Sequence, residues 1–406
     1  MTDKTMPALR FRGFYDAWEQ RKLDTIFKKI RNAFVGTATP YYVDRGHFYL
    51  ESNNIKNGQI NRDTEVFIND VFYNQQTDKL LHTGDIVMVQ SGHVGHTAVI
   101  PSELNETAAH ALIVFTNYKE ATDPFFLNYQ FQTYKAKRKL ETITTGNTIK
   151  HILSSAMKEF FVDYPSFKEQ KKIGSLFKQF DHLITQNEHK TRLLKQLKQA
   201  YLQKIFNQEL RFAGFSDDWE ERKLGELASV LTGFPFKNED FVANGKYLVI
   251  TNGNIQNDSS VVDVLLGNSI DDISDEIKER YYLNKNDILV TMDGTVGRTA
   301  KVVDDNLILA QRVGRLVSNT NPEFVYQWLN HGSFFNEMTK VSHGGTIKHI
   351  SLNEISNYRS TVPSNNIEQQ KIGAFFKQLD ITIDLHQQKL DLLKKQKQAY
   401  LQKLFI

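Results

Sequence analysis

The chain has 406 residues, room for two to four domains at roughly 100–200 residues each, and its 40% hydrophobic and 12% aromatic content excludes a disordered polymer. It contains no cysteine, which excludes disulfide scaffolds, thiolate metal sites, iron–sulfur clusters and a cysteine nucleophile and fits a reducing, cytoplasmic setting. A net charge of +3 is close to neutral; no stretch approaches about 20 apolar residues and no apolar run follows the charges of residues 1–10, so neither a membrane span nor a signal peptide is expected.

Taken in chain order, the first landmark is LRFRGFYDAWEQRKL at 9–23. It returns as LRFAGFSDDWEERKL at 210–224, with 11 of 15 positions identical at an offset of 201. Next come GDIVMVQ at 84–90 and NDILVTM at 286–292, short β-branched runs behind turn signals that read as strands. Gly92 and Gly95, matched by Gly294 and Gly297, then mark a tight turn before a further strand. Around 125–134 and 324–328 the apolar spacing becomes helical, and TIKHI at 148–152 recurs at 346–350. Each half ends on KQAYLQK, at 198–204 and 397–403. A period near 200 is far longer than the 20–50 residues of a solenoid repeat. The chain therefore reads as a tandem duplication of one α+β globular unit with a helical connector.

The connectors follow Pro165 and Pro363. In the first, Ile173, Leu176, Phe180 and Leu183, then Leu194, Leu197 and Tyr201, fall at steps of three and four; the copy gives Ile372, Phe375, Leu379 and Ile383, then Leu393 and Tyr400. A seam of this period over about 40 residues predicts coiled-coil helices roughly 60 Å long. The first unit runs from its KQAYLQK straight into the second LRF element, whereas the second ends where an LRF element is due. The unit thus reads as cyclic, cut at the termini, and two copies closed this way imply a pseudo-two-fold axis with the helices antiparallel. Both seams turn polar at the same place, Asn187 and Lys190 against His386 and Lys389. Asn187 and His386 are therefore expected to meet near the axis and set the register.

The two helical stretches carry nine and seven Lys/Arg against three and four acids, so the globular parts hold a net negative remainder. Any nucleic-acid surface there must be local. Candidate patches are KAKRK at 135–139, Lys150–His151 with its copy Lys348–His349, and Arg298 and Lys301 with Arg312 and Arg315; each also reads as an ordinary solvated face.

Catalytic signatures are missing. There is no phosphate-binding G-x-x-x-x-G-K-[ST] loop, no G-x-S-x-G elbow and no H-E-x-x-H helix. The Asn/Asp-Pro-Pro-Tyr/Phe element of amino-methyltransferases is absent, with Thr39-Pro40-Tyr41-Tyr42 only an echo. Glu169-Gln170-Lys171 has the spacing of a nuclease carboxylate–lysine pair but opens a helix without a partnering acid. The glycine loops at 92–95 and 294–297 fit a phosphate cradle and a plain turn equally well. The segments between the shared motifs, 26–80 against 227–282 and 102–142 against 303–340, differ, as suits a frame that reads two targets.

In its twofold order of G-F-x-x-x-W-E-x-R-K-L starts, G-D-I/N-D-I strands with G-x-V-G turns, and P-S-F-K-E-Q-K-K-I and P-S-N-N-I-E-Q-Q-K-I helix openings, the chain resembles the specificity subunit of type I restriction–modification enzymes over essentially its whole length. The resemblance implies an α+β architecture of two pseudo-two-fold-related target-recognition domains, 1–165 and 208–364. Two long antiparallel coiled-coil helices, 166–207 and 365–406, would separate them. It also implies a non-catalytic, cytoplasmic chain that binds double-stranded DNA, one copy per complex, docking two methyltransferase and two restriction subunits. S-adenosylmethionine, ATP and magnesium would belong to those partners, and no cofactor to this chain. Base-reading residues do not transfer by motif, so the candidates come from chemistry. For phosphate they are Lys135, Lys137, Arg138, Lys150 and Lys348. For bases or grooves they are Arg31, Arg45, Ser91, His93 and His96 in the first domain, and Lys237, Asn254, Thr295, Arg298 and Arg312 in the second. A coiled-coil scaffold whose globular halves bind proteins is the competing reading.

Overall fold

A computed structural model of the chain describes residues 6–146, 150–257 and 259–405; Met1 to Thr5 and the Thr148 and Ile149 of the first TIKHI lie outside the described residues. The chain forms two compact units, Met1–Asn187 with Lys389–Ile406, and Glu188–Gln388. Both divisions fall within long helices, Phe167–Phe206 and Asn366–Leu404, so each unit owns half of each helix.

In the first unit a four-stranded antiparallel sheet takes the order Phe27–Asn32, Leu112–Tyr118, Ile86–Val89, Thr97–Val99. All four residues of Ile86–Val89 are buried. With both faces covered the strand has no polar side, which is why GDIVMVQ reads as a continuous apolar run. The second unit repeats the order with Ala228–Thr232, Val313–Ser318, Ile288–Thr291 and Thr299–Lys301. One face of each sheet meets the larger core, around Trp18, Phe115 and Phe126 or around Leu316, Phe324 and Trp328. The other covers a smaller one holding Val87 and Val114, or Leu289 and Val313. A lesser sheet differs between the units, with four strands around His47–Leu50 in the first and three around Tyr247–Ile250 in the second.

The Asp of each G-D-I/N-D-I element is buried and caps its own turn, Asp85 Oδ2 accepting from the His82 amide at 2.9 Å and Asp287 Oδ2 from the Asn284 amide at 2.8 Å. Burial pushes both carboxyls up, opposed in Asp85 first by hydrogen bonds from Thr116 and the His82 amide and in Asp287 by the Asn284 amide, with an arginine charge adding to each. The arginine comes from opposite strands of one rung. In the first unit Arg31 stands across from Val114; in the second Leu231 stands across from Arg315. Arg315 reaches Asp287 at 2.7 Å. Arg31 donates instead to the Lys79 and Leu80 carbonyls, both at 3.0 Å.

Each long helix starts on a lock. Glu169 is buried, accepts a bidentate pair from Arg10 at 2.9 and 2.7 Å, and takes the Trp18 indole N–H at 3.2 Å. Arg211 grips Glu368 with the same two distances. Gln170 and Gln369 each donate to the carbonyl of the preceding proline, Pro165 or Pro363, at 2.9 Å. The carboxylate of Glu169 is thus fully engaged in structure.

Within each unit the helix halves run antiparallel. Phe177 packs on Phe405 and Phe180 on Tyr400 in the first, and Tyr201 on Phe375 in the second. An acid keys each pair to its globular part, Asp380 buried and Asp181 half-buried. Asp181 accepts from Lys397 at 2.5 Å and from the Tyr129 hydroxyl at 2.7 Å. Asp380 accepts from Lys198 at 2.6 Å and from Gln327 at 2.8 Å.

The seam is not quite the one expected. Leu183 and Leu197 are 41% and 43% exposed, and the buried positions include Asn187 and Thr191 instead. Ile173, Phe177, Asn187 and Thr191 are buried at steps of four, ten and four, so the second seam position lies one residue beyond the one drawn through Leu176, Leu183 and Leu197. At the chain ends, the Leu9 amide donates to the Lys403 carbonyl at 2.9 Å, as the Leu210 amide does to Lys204 at 3.1 Å. Among the described residues no helix is long and apolar enough to cross a membrane.

Candidate nucleic-acid interface

The glycine loops are built alike in both units. Gly92 and Gly95 have φ of 79° and 85°, and Gly294 and Gly297 have 73° and 81°, a left-handed region that disfavours a side chain. A Cβ on Gly95 would lie 3.1 Å from Leu140 Cδ1, and one on Gly297 2.9 Å from Met338 Cβ. Each loop is stitched to the Lys–His segment further along the chain. Ser91 pairs with His151 and Asp293 with His349, and the Gly92 and Gly294 amides donate to the Lys150 and Lys348 carbonyls at 3.1 and 2.9 Å. Nothing in the sequence marks these motifs, more than 50 residues apart, as one platform.

In the first unit this platform and the helix Tyr134–Ile143 enclose a cleft of about 340 Å³, lined by His93, His96, Gln132, Lys137, Glu141 and Lys150. Four predicted residues therefore converge, with Ser91 beside them. Burial, then the charges of Lys137, His93 and Lys56, hold His96 below the usual histidine range. Lys135 and Arg138, on the same helix, turn elsewhere: Lys135 pairs with Asp163 at 3.4 Å and Arg138 donates to the Tyr134 hydroxyl at 3.0 Å. Arg45 is exposed on the turn before His47–Leu50 and does not line the cleft. Arg31, half-buried with its guanidinium spent on two carbonyls, is withdrawn as a base reader; burial lowers its pKa despite Asp85.

In the second unit the matching cleft, about 360 Å³, is lined by Gln256, Arg298, Asn330 and Phe335 from the globular part and by Lys198 and Asp380 from the helices. Arg298 Nε is buried and has no hydrogen-bond partner among the described residues, a donor left for a ligand to satisfy. Thr295 is exposed on the loop and Lys348 beside it. Arg312 donates to Asp293 Oδ2 at 3.0 Å. Partial burial works against ionisation of Asp293, but hydrogen bonds from His349 and Arg312 outweigh it and keep the carboxyl below its ordinary range.

Asn254 is a correction. It is 1% exposed; its Oδ1 accepts from the Thr251 amide at 2.9 Å and its Nδ2 donates to the Asp263 and Leu266 carbonyls. Asn54 does the same in the first unit, donating to Asn61 and Thr64, so both residues clamp a loop and have no donor left for a base. Lys237 is exposed on a turn, 3.4 Å from Glu239, and lies outside the cleft. Asn187 is 6% exposed and donates to the Leu183 carbonyl of its own helix at 2.7 Å. His386 belongs to the other unit.

The two clefts share a frame and differ in their walls. His96 in one stands where Arg298 does in the other, and Lys137 on the first wall is replaced by Phe335 on the second. No group of His, Asp and Glu suited to hold a metal occurs among the described residues.

Comparison with known proteins agrees with this doubled design. The family model described as type I restriction modification DNA specificity domain matches residues 15–199 and 216–395. The chain is 21% identical to the type I restriction enzyme MjaVIII specificity subunit of Methanocaldococcus jannaschii, over 94% of this chain and 90% of that one. It is 25% identical to the EcoBI specificity subunit of Escherichia coli over 56% and 52%. In fold it resembles the crystal structure of a type I restriction-modification S subunit from M. genitalium, with a TM-score of 0.70, 17% identity and 99% of each chain covered. The chain belongs to the type I restriction–modification DNA specificity family, as a specificity subunit and so a non-catalytic recognition component.

Proposed function

We propose that each unit reads one half of a bipartite, asymmetric DNA target, and that the helices set the spacing between the halves. The observation that carries this is the pair of clefts, alike in frame and unlike in wall, which suits two different words read by one device. Major-groove edges distinguish all four base pairs. Arg298, Thr295 and Arg312 are assigned to the groove in the second unit, and His93, His96 and Ser91 in the first. Lys137, Lys150 and Lys348 are assigned to phosphates, which position the protein without specifying sequence. Lys135, Arg138, Arg45 and Lys237 keep a weaker claim as long-range cations.

The reading extends to partners. Leu193, Leu197, Ile381, Leu385 and Leu392 are exposed apolar residues on the long helices, and they are assigned to two methyltransferase subunits. Two restriction subunits complete a complex that holds one copy of this chain. S-adenosylmethionine, ATP and magnesium act on those subunits, in the cytoplasm. Asn187 and His386 are assigned to helix register.

Two measurements test it. Methylome sequencing of cells carrying this chain with its methyltransferase is expected to return one bipartite asymmetric motif; a continuous or palindromic motif would overturn the reading. In duplex binding, Arg298→Ala is expected to relax sequence choice in one half-site, at a cost of about 1–3 kcal/mol. Lys348→Ala should weaken all sequences alike and reduce the salt slope by about 1. Binding that ignores salt would instead favour a protein-binding scaffold.

A further inference from the structure

The Lys–His segment of the second unit ends in a hairpin that the recognition scheme above leaves unused. His343 and His349 exchange backbone hydrogen bonds at 3.0 and 2.8 Å, and every residue from 343 to 348 is exposed. Ile347 sits in this hairpin, 66% exposed. A lone exposed aliphatic residue is ordinary; three features set this one apart.

The first is rigidity. Gly344 has φ of 103°, and a Cβ there would fall 2.3 Å from the Ile347 carbonyl oxygen, so the turn is closed tightly behind the side chain. The base is fastened to the G-x-V-G platform by the Gly294–Lys348 and Ile350–Met292 backbone hydrogen bonds, both 2.9 Å, and by the Asp293–His349 contact at 2.5 Å. The second is surroundings. The neighbours of Ile347 in the hairpin are Gly344, Gly345, Thr346 and Lys348, with no second apolar residue to make the contiguous patch that protein docking uses. Cations flank it instead: Lys348 next in the chain, and Arg312 on Asp293 at the hairpin's foot. The third is repetition. T-I-K-H-I recurs in the sequence of both halves although the segments around it differ, and in the first unit Thr145 and His151 exchange the same pair of backbone hydrogen bonds.

A stiff loop that holds one aliphatic side chain in water next to a lysine has the makings of a base-stack wedge. Proteins that kink DNA insert an Ile, Leu or Phe between base steps and take back the lost stacking as apolar burial and added phosphate contacts. We propose that Ile347 is such a wedge: it enters the base stack of the DNA bound by the second unit while Lys348 holds the adjoining phosphate. The inference rests on the DNA-reading role given to that unit, and it adds a residue that shapes the duplex without reading a base edge.

The test uses the complex of this chain with its methyltransferase subunits, on duplexes carrying the motif found by methylome sequencing. 2-Aminopurine is placed in turn at each position of, and beside, the half-site of the second unit. The expected result is a fluorescence rise at one step other than the methylated base. Ile347→Ala should abolish that rise and weaken specific binding about tenfold, while Ile347→Leu retains both. Lys348→Ala should keep the rise in the bound complex and flatten the salt dependence. A rise unchanged in Ile347→Ala would overturn the wedge and leave DNA reading intact. So would an Ile347→Ala chain that keeps the rise but loses its methyltransferase subunits on gel filtration, which would make the residue a protein contact. A wild-type complex with no salt-dependent binding to duplex would overturn both readings, and so separates the two failures.

Discussion

Gly174 and Gly373 are each the eighth residue of a long helix, an interior position where glycine costs about 1 kcal/mol of helix propensity. Their use is clearance: a Cβ on Gly174 would meet Asp123 Oδ1 at 2.4 Å, and one on Gly373 the Phe324 amide at 2.9 Å. Those atoms form the N-caps of Pro124–Phe131 and Pro322–Leu329, so cap and helix compete for one space. Gly174→Ala is expected to lower stability by about 1–3 kcal/mol despite its better propensity, as read by denaturant unfolding. In the cleft, His96 has a folded pKa below its unfolded value, so its burial penalty appears only as pH falls below the ordinary histidine range. At pH 7.5 it is neutral. His96→Gln should therefore leave the salt slope of DNA binding unchanged there, whereas Lys137→Ala should reduce it by about 1. Residue types alone nominated the glycine loops, the histidines and KAKRK one by one, with no sign that they are neighbours. They did not separate Asn254 and Arg31, since an amide or a guanidinium looks the same in sequence whether its donors face carbonyls or solvent.

For the helices, the informative positions are the charged ones. Asp181 and Asp380 sit beside the seam, each shared between a lysine of the opposed helix and a side chain of the globular part, and they tie three elements together. Breaking a buried pair leaves a charge without its counterpart, which costs more than the pair itself contributes. Asp380→Asn is expected to destabilise by about 2–4 kcal/mol. Pairing Asp380→Leu with Lys198→Met should recover part of that loss, so that a double-mutant cycle yields a coupling above about 1 kcal/mol. Helix existence and length were legible because apolar periodicity survives over many turns. The phase was not, because two of the residues that set it, Asn187 and Thr191, are polar, and any apolar template passes over them. The Glu169 and Glu368 locks were legible only in hindsight, through the twofold recurrence of Arg in LRF and Glu before Gln.

For the whole chain, the strongest sequence signal was duplication, and it accounts for the common sheet order, the glycine platforms and both helix locks. What it left open is whatever the copies no longer share: the strand count of the lesser sheets and the chemistry of the cleft walls. The cyclic reading has a direct structural counterpart in the Leu9–Lys403 hydrogen bond, which reproduces the covalently continuous Leu210–Lys204 junction. A permuted chain that joins residue 405 to residue 9 through a short linker and opens after Asn207 is expected to fold with a thermal midpoint within a few degrees of the parent, by circular dichroism. The proposed spacing role has its own test. Four residues, one helical turn of about 6 Å, added ahead of Lys195 and of Lys394 should lengthen the tolerated spacer by about one to two base pairs and leave both half-sites unaltered in the methylome. The insertion belongs ahead of Lys195, because Lys198 and Leu202 beyond it are committed to Asp380 and to the core.

The opposed placement of Arg31 and Arg315 on one rung carries a historical consequence. Each half has its own answer to a sunken aspartate, and the two answers are incompatible strand by strand. A hybrid gene spliced between those strands would furnish the aspartate with two guanidinium groups or with none. Crossovers that land in the long helices, away from the sheets, keep each solution whole. New pairings of the two units should therefore arise by exchanging entire modules at helical breakpoints, and natural recombinants sequenced in number would show their junctions gathered there.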